Sequence, residues 1–422
     1  MKVLMLGWEL PPLQVGGLGM VCYEMVKGLA AIGIPVTYIM PLGPDNAHSE
    51  FANLIIAENH FLGKSVKPKL ISVPGAFMPY QSSEQYIEEY QTKLLKRKGR
   101  GKVTKADLYG PNLPTEIDLY AKRVYHIVDD LDFDVIHAHD WLDFPAAIGI
   151  ADKTGKPFVA HIHNTIYDRY LGNASQWERD IERNGLMRAD IVIAISHYIK
   201  NIIVDKYGID PNKIHVIHHG KNTLIGNLKD ISPPNFKGKK VVLYTGRLTI
   251  QKGAEYLIMA AKKVLEKRKD IIFVILGGGD PGYTKKMMDL AAQLGISKDV
   301  LFNGKPYTLE EAKALYKIAD CYVMPSVSEP FGIVPMEAMS YGTPAIVTKQ
   351  SGVSEALKNV FKVDFWDTKE MANQILSLLR YNVLHKQMTD YGFVEVENMT
   401  WEEPVNQIMG AYRDAINKKN HK

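Results

Sequence analysis

Two carboxylates in a Glu-x7-Glu spacing, Glu329 and Glu337, flank a tight Pro330-Phe331-Gly332 turn. The apolar run Cys321-Tyr322-Val323-Met324-Pro325 before them has the pattern of a buried strand. Val334 to Ser340 after them has the pattern of a helix, and Pro335 suits its first turn because the N–H it lacks would be unpaired there. Amide groups at a helix start attract anions, and open α/β sheets place ligands at the C-terminal ends of parallel strands. A second apolar run, Val241-Val242-Leu243-Tyr244, leads into Gly246-Arg247-Leu248-Thr249-Ile250-Gln251-Lys252-Gly253. Arg247 and Lys252 are two fixed cations on one turn, which can stabilise an anionic leaving group without a metal.

A third set is rich in imidazole: His137-Ala138-His139-Asp140-Trp141 and, after another apolar run, His161-Ile162-His163-Asn164. The pairs His137-x-His139 and His161-x-His163, with Asp140, are of metal-ligand type; His137, His139 and His161 also suit strand ends satisfied by neighbouring carbonyls. Asp130-x-Asp132 precedes the strand Val135 to His139 rather than ending one, so it reads as a turn and not a metal site. A glycine cluster, Gly16-Gly17-Leu18-Gly19, separates the strand Val3 to Leu6 from a helix with Leu18, Val21, Cys22, Met25, Val26 and Leu29 on one face.

The elements needed to hold these groups alternate between strand and helix along the chain. Strands are expected at 36–40, 191–195, 214–218, 271–276 and 345–347; Ser196 is a plausible N-cap; 309–317 and 401–416 read as helices. Residues 60 to 118 read as irregular, with a basic run from Lys93 to Lys105 suited to a solvated loop or an acceptor-side flap. At 422 residues, two domains are the natural prior, with Gly226 to Gly238 as linker. A formal charge of +4 does not suggest a nucleic-acid partner. Cys22 and Cys321 alone make a disulfide framework unlikely. The N-terminal apolar run is too short for a signal peptide and no stretch is long enough to span a membrane, so a cytoplasmic enzyme is expected.

Together these motifs resemble the retaining, two-Rossmann-domain (GT-B) glycosyltransferases, especially family 4 and the glycogen and starch synthases, over nearly the whole chain. The resemblance implies two facing Rossmann-like α/β domains with the active site in the cleft between them. Residues 1–222 would form the acceptor-side domain, 223–398 the nucleotide-sugar domain, and 399–422 a helix crossing back. It implies that Arg247 and Lys252 hold the donor diphosphate, that Glu329 meets the sugar hydroxyls and that Glu337 meets the ribose. Phe331, Gly332, Ile333 and Val334 would line the donor, Gly278 would pass beside base and phosphates, and the base would stack near Lys305 to Tyr307. His163 would border the donor sugar, Asp140 would lie near sugar and acceptor, and Gly16, Gly17 and Leu18 would approach the donor phosphate. The expected activity is metal-independent, cofactor-free hexosyl (glucosyl) transfer from a UDP- or ADP-linked sugar to a carbohydrate acceptor such as an α-glucan.

One departure stands out. The synthases carry Lys two residues before the first glycine, where this chain has Gln14. That leaves open a family-4 transferase with another sugar or acceptor: mannosyl, disaccharide or glycolipid. A metal-dependent His/Asp hydrolase would have no need for Arg247, Lys252 and Glu329 in a second sheet, and a non-catalytic nucleotide-sugar sensor would not need the chemical groups intact.

Overall fold

The computed structural model describes residues 1–11, 17–43, 47–58, 113–222, 232, 234–236 and 238–421. Its strands form two parallel sheets, one of seven strands in the order β3-β2-β1-β4-β5-β6-β7 and one of six in the order β10-β9-β8-β11-β12-β13. By contact density the chain divides into two units, Met1–Phe158 and Val159–Lys422.

The first unit contains β1 (Val3–Leu6), β2 (Val36–Met40), β3 (Asn53–Ile56) and β4 (Val135–His139), with helices α1 (Gly17–Ala31), α2 (Leu113–Ile127) and α3 (Phe144–Thr154). Val3 of β1 is in register with Val36 on one side and Val135 on the other. Helix α2 begins at Leu113, inside the stretch expected to be irregular. Pro114 there is not a breaker, because its missing N–H falls in the first turn. Short β3 was not anticipated; its pattern is half-buried rather than continuously apolar.

From the unit boundary the chain continues with β5 (Phe158–Ile162), α4 (Ile166–Arg169), α5 (Gln176–Arg188), β6 (Ile191–Ala194), α6 (His197–Tyr207) and β7 (Ile214–Val216). Ser196 caps α6 as expected, its Oγ accepting from Ile199 N at 3.1 Å. The six-stranded sheet then follows: β8 (Lys240–Thr245), α7 (Ala254–Lys267), β9 (Ile271–Leu276), α8 (Pro281–Gln293), β10 (Val300–Phe302), α9 (Leu309–Tyr316), β11 (Cys321–Met324), α10 (Val334–Ser340), β12 (Ala345–Thr348), α11 (Val353–Ala356) and β13 (Phe361–Val363). Three further helices close the chain: α12 (Thr368–Arg380), α13 (Asn382–Glu397) and α14 (Glu402–Asn420).

The parallel strands are apolar almost throughout because helices cover both faces. β9 is Ile-Ile-Phe-Val-Ile-Leu and every residue of it is buried. Phe273 and Ile275 of β9 join Val242, Leu257, Val323 and Ile375 in one core. Helix α14 packs on β6. The expected boundary at 222/223 lies within the second unit, and most of the expected linker lies outside the described residues.

Candidate active site

Strands β8 and β11 pair in parallel, so their C-terminal ends lie side by side. The turn after β8 carries Arg247 and Lys252; the turn after β11 carries Glu329. Lys252 Nζ lies 2.5 Å from Glu329 Oε2, and Ser326 Oγ donates to the same oxygen at 3.1 Å. The two turns are tied by backbone as well, since Val327 N donates to Gln251 O at 2.9 Å. Gly253 makes this approach possible. Its φ is +64°, and a Cβ there would sit 2.1 Å from Pro325 O. Arg247 is exposed on the same turn, its carbonyl held by Tyr244 OH at 2.9 Å.

Glu337, in the first turn of α10, accepts from Tyr316 OH at 3.4 Å. Burial pushes its carboxyl up to about 7, with the tyrosine bond opposing the shift. Gly278 follows β9, where a Cβ would meet Lys305 C at 2.8 Å, so backbone packing alone demands glycine there. Lys305 is exposed, its N–H fixed by Asn303 Oδ1 at 3.0 Å. Phe331 is buried against His219, ring centroids 5.0 Å apart; Gly332 adopts φ +100°, and Ile333 and Val334 are half-buried at the start of α10.

Histidine dominates the end of β5. The His163 ring stacks on His161 at 4.2 Å and 23°, and lies 5.4 Å from His219, which stacks on Trp401. The candidate ligand atoms of His161, His163 and His219 lie within 4.8 Å of one another. His219 was not among the residues expected to do chemistry.

In the first unit, His137 and His139 are fully buried at the end of β4. Burial holds His137 well below the usual imidazole range and His139 down to about 3, so both are neutral. Asp140, also buried, has φ +61°, a left-handed conformation that non-glycine residues rarely adopt. Gly17 opens α1 and is exposed, and Leu18 is half-buried. Gly16, Gln14 and the basic run 93–105 lie outside the described residues.

Sequence reasoning missed Asp168. This carboxyl is 2% exposed and accepts from Gln251 Nε2 at 3.0 Å, from Tyr198 OH at 3.2 Å and from Ser328 Oγ. Burial, and next the charge of Glu329, raises it to about 7. Glu355 lies on the short helix α11. Its carboxylate accepts from His197 N and Tyr198 N, at 2.8 and 2.7 Å, at the start of α6.

Residues 228–394 match the family model described as Glycosyl transferases group 1, and residues 93–223 match Glycosyltransferase Family 4. An uncharacterized glycosyltransferase of Methanocaldococcus jannaschii is 32% identical, with 99% of each chain covered. A D-inositol 3-phosphate glycosyltransferase of Acidothermus cellulolyticus is 28% identical over 67% of this chain and 68% of its own. A glycogen synthase of Mycobacterium tuberculosis is 26% identical over 85% and 80%. Among solved structures, sucrose-phosphate synthase from Thermosynechococcus elongatus aligns with TM-score 0.70 at 19% identity over 99% of both chains. The catalytic domain of Arabidopsis thaliana starch synthase IV bound to ADP and acarbose aligns with TM-score 0.68 at 16% identity, again over 99% of both. Anabaena HepE in complex with UDP and glucose aligns with TM-score 0.63 at 17% identity over 97% and 98%. These structural likenesses bear on the fold, which is that of the GT-B enzymes.

Proposed function

We propose retaining hexosyl transfer, glucosyl by preference, for this chain, which belongs to the group 1 and family 4 glycosyltransferases. The donor would be a UDP- or ADP-linked sugar and the acceptor a carbohydrate of the α-glucan type. The observation that carries this is the Lys252–Glu329 pair on adjoining strand ends, with Arg247 on the same turn as Lys252.

A bound diphosphate would draw Lys252 from Glu329 and engage Arg247. Breaking the sugar C1–O bond leaves its electron pair on the bridging phosphate oxygen. Cations aimed there gain strength as that charge grows, and only this difference speeds the reaction. Glu329, released from the lysine, can then accept from sugar hydroxyls, and Glu337 from the ribose. His163 and Asp140 would serve the donor sugar and the acceptor. Retention requires the acceptor hydroxyl to enter on the face the diphosphate leaves, with its proton passing to the departing phosphate. No step in this scheme needs a metal or another cofactor. Among the described residues, no helix is long and apolar enough to cross a membrane.

The neighbours bound to UDP with glucose and to ADP with acarbose support this donor and acceptor class. A second acceptor class is favoured by the D-inositol 3-phosphate glycosyltransferase relative and by Gln14 in place of lysine. The test is a thermal-shift screen of UDP-, ADP- and GDP-sugars, followed by product analysis with maltooligosaccharides and with inositol phosphate. Elongation of the glucan supports the first acceptor; glycosylation of inositol phosphate alone supports the second.

A further inference from the structure

Asp168 touches none of the residues expected to do chemistry, yet it holds the neighbours of two of them. Gln251, which donates to Asp168 Oδ2 at 3.0 Å, immediately precedes Lys252. Ser328, which donates to Asp168 Oδ1, immediately precedes Glu329. All three residues are buried, at 2%, 8% and 3% exposure for Asp168, Gln251 and Ser328. The aspartate is itself fixed. Its backbone N donates to Thr165 Oγ1 at 3.0 Å, capping α4, and Tyr198 OH donates to Oδ1 at 3.2 Å. Water-excluded hydrogen bonds to a carboxylate are strong and directional, so the clamp restricts both turns at the points where their charged groups emerge.

We propose that Asp168 is a positioning residue for Lys252 and Glu329: one buried carboxylate grips Gln251 and Ser328 and so sets the geometry in which the lysine meets the leaving diphosphate. This rests on the transfer reaction proposed above. A lysine displaced by even a fraction of its hydrogen-bond length still binds the ground-state diphosphate, whose charge is spread over several oxygens. It no longer meets the single bridging oxygen at the moment of bond breaking. Loss of the clamp therefore falls on kcat more than on donor KM. The charged groups facing Asp168 are Glu329, which opposes its ionisation, and Lys252, which favours it, with the Tyr198 hydroxyl beside them.

The experiment compares Asp168→Ala, Asp168→Asn, Gln251→Ala and Lys252→Ala, each with kcat and donor KM for the nucleotide-sugar found in the donor screen. Asp168→Asn keeps the shape and one acceptor oxygen, so it remains informative if the alanine variant does not fold. The expected result is a kcat loss of about tenfold to a hundredfold in Asp168→Ala with donor KM changed less than threefold, an intermediate loss in Asp168→Asn, and a double variant with Gln251→Ala no worse than Asp168→Ala alone. The expected pH profile of wild-type kcat has a limb near pH 7 that Asp168→Asn alters. Native kcat in folded Asp168→Asn and Asp168→Ala, while Lys252→Ala is crippled, overturns the clamp and leaves the transfer mechanism standing. Native kcat in Lys252→Ala overturns the mechanism itself.

Discussion

The strand ends of the two sheets handle polar groups in opposite ways. At the end of β4, His137 and His139 are fully enclosed, and burial keeps both uncharged. At the ends of β8 and β11, Lys252 and Glu329 pair with each other at 2.5 Å in a half-open setting. Imidazoles enclosed in this way belong to the packing of the first unit, whereas a half-open ion pair is suited to exchanging one partner for a phosphate.

The largest way to break this comparison is to remove the charged pair's cation. Lys252→Ala is expected to lower kcat by about a hundredfold or more, the scale of one preorganised donor at a developing charge. Arg247→Ala should behave alike, and the double variant should lose less than the product of the two, because both serve one leaving group. Near-native kcat/KM in folded Lys252→Ala would put the pair back among ordinary surface ions.

How much of this was legible in sequence depended on whether the signal was local. The turn 246–253 announced itself because glycine, arginine and lysine sit at fixed spacing within eight residues, and Glu329 and Glu337 likewise bracket a single turn. The Asp168 clamp joins residues 168, 251 and 328, each an unremarkable polar residue in its own neighbourhood, and only folding brings them together. His219 escaped for the same reason, since its partner His163 lies far back in the chain. Among the elements, β3 and β13 were missed because edge strands of four and three residues carry too few side chains to show a period. The start of α2 was missed because Pro114 reads as a breaker until it is placed in the first turn.

The neutral histidines give the next largest effect, in stability rather than rate. The folded chain binds a proton at His139 more weakly than the unfolded chain, so the stability this confers is present above about pH 6.5. It is lost as pH falls towards about 3, at about 1.4 kcal/mol per pH unit for one proton. Urea denaturation of His139→Gln from pH 7 down to pH 4 should show a shallower acid limb than wild type. An identical limb would mean that His139 is protonated in the fold.

Glu337 sharpens the contrast within the charged region, because its proton is held more tightly in the fold than outside it. Its contribution to stability is therefore full below the ordinary carboxylate range and is lost as pH rises through about 7. Glu337→Gln is expected to flatten that loss and to weaken donor binding by about tenfold, the worth of a hydrogen bond to a charged acceptor. Isothermal titration with the preferred donor, at pH 6 and pH 8, measures the second effect. Equal affinity in wild type and variant at both pH values would detach Glu337 from the donor.

Gln14→Lys should give the smallest change. With a glucan acceptor, the added cation is expected to raise turnover by a few-fold, as one more partner for the diphosphate. A neutral or harmful effect in initial-rate assays moves weight to the inositol-phosphate type of acceptor.

The most direct measurement follows the anomeric proton of donor and product by NMR while EDTA is present. Transfer by Arg247 and Lys252 without a metal should continue unchanged, releasing one nucleoside diphosphate for each new α-glycosidic signal. A β-configured product, or a reaction that stops with EDTA and resumes only with manganese, would contradict the account.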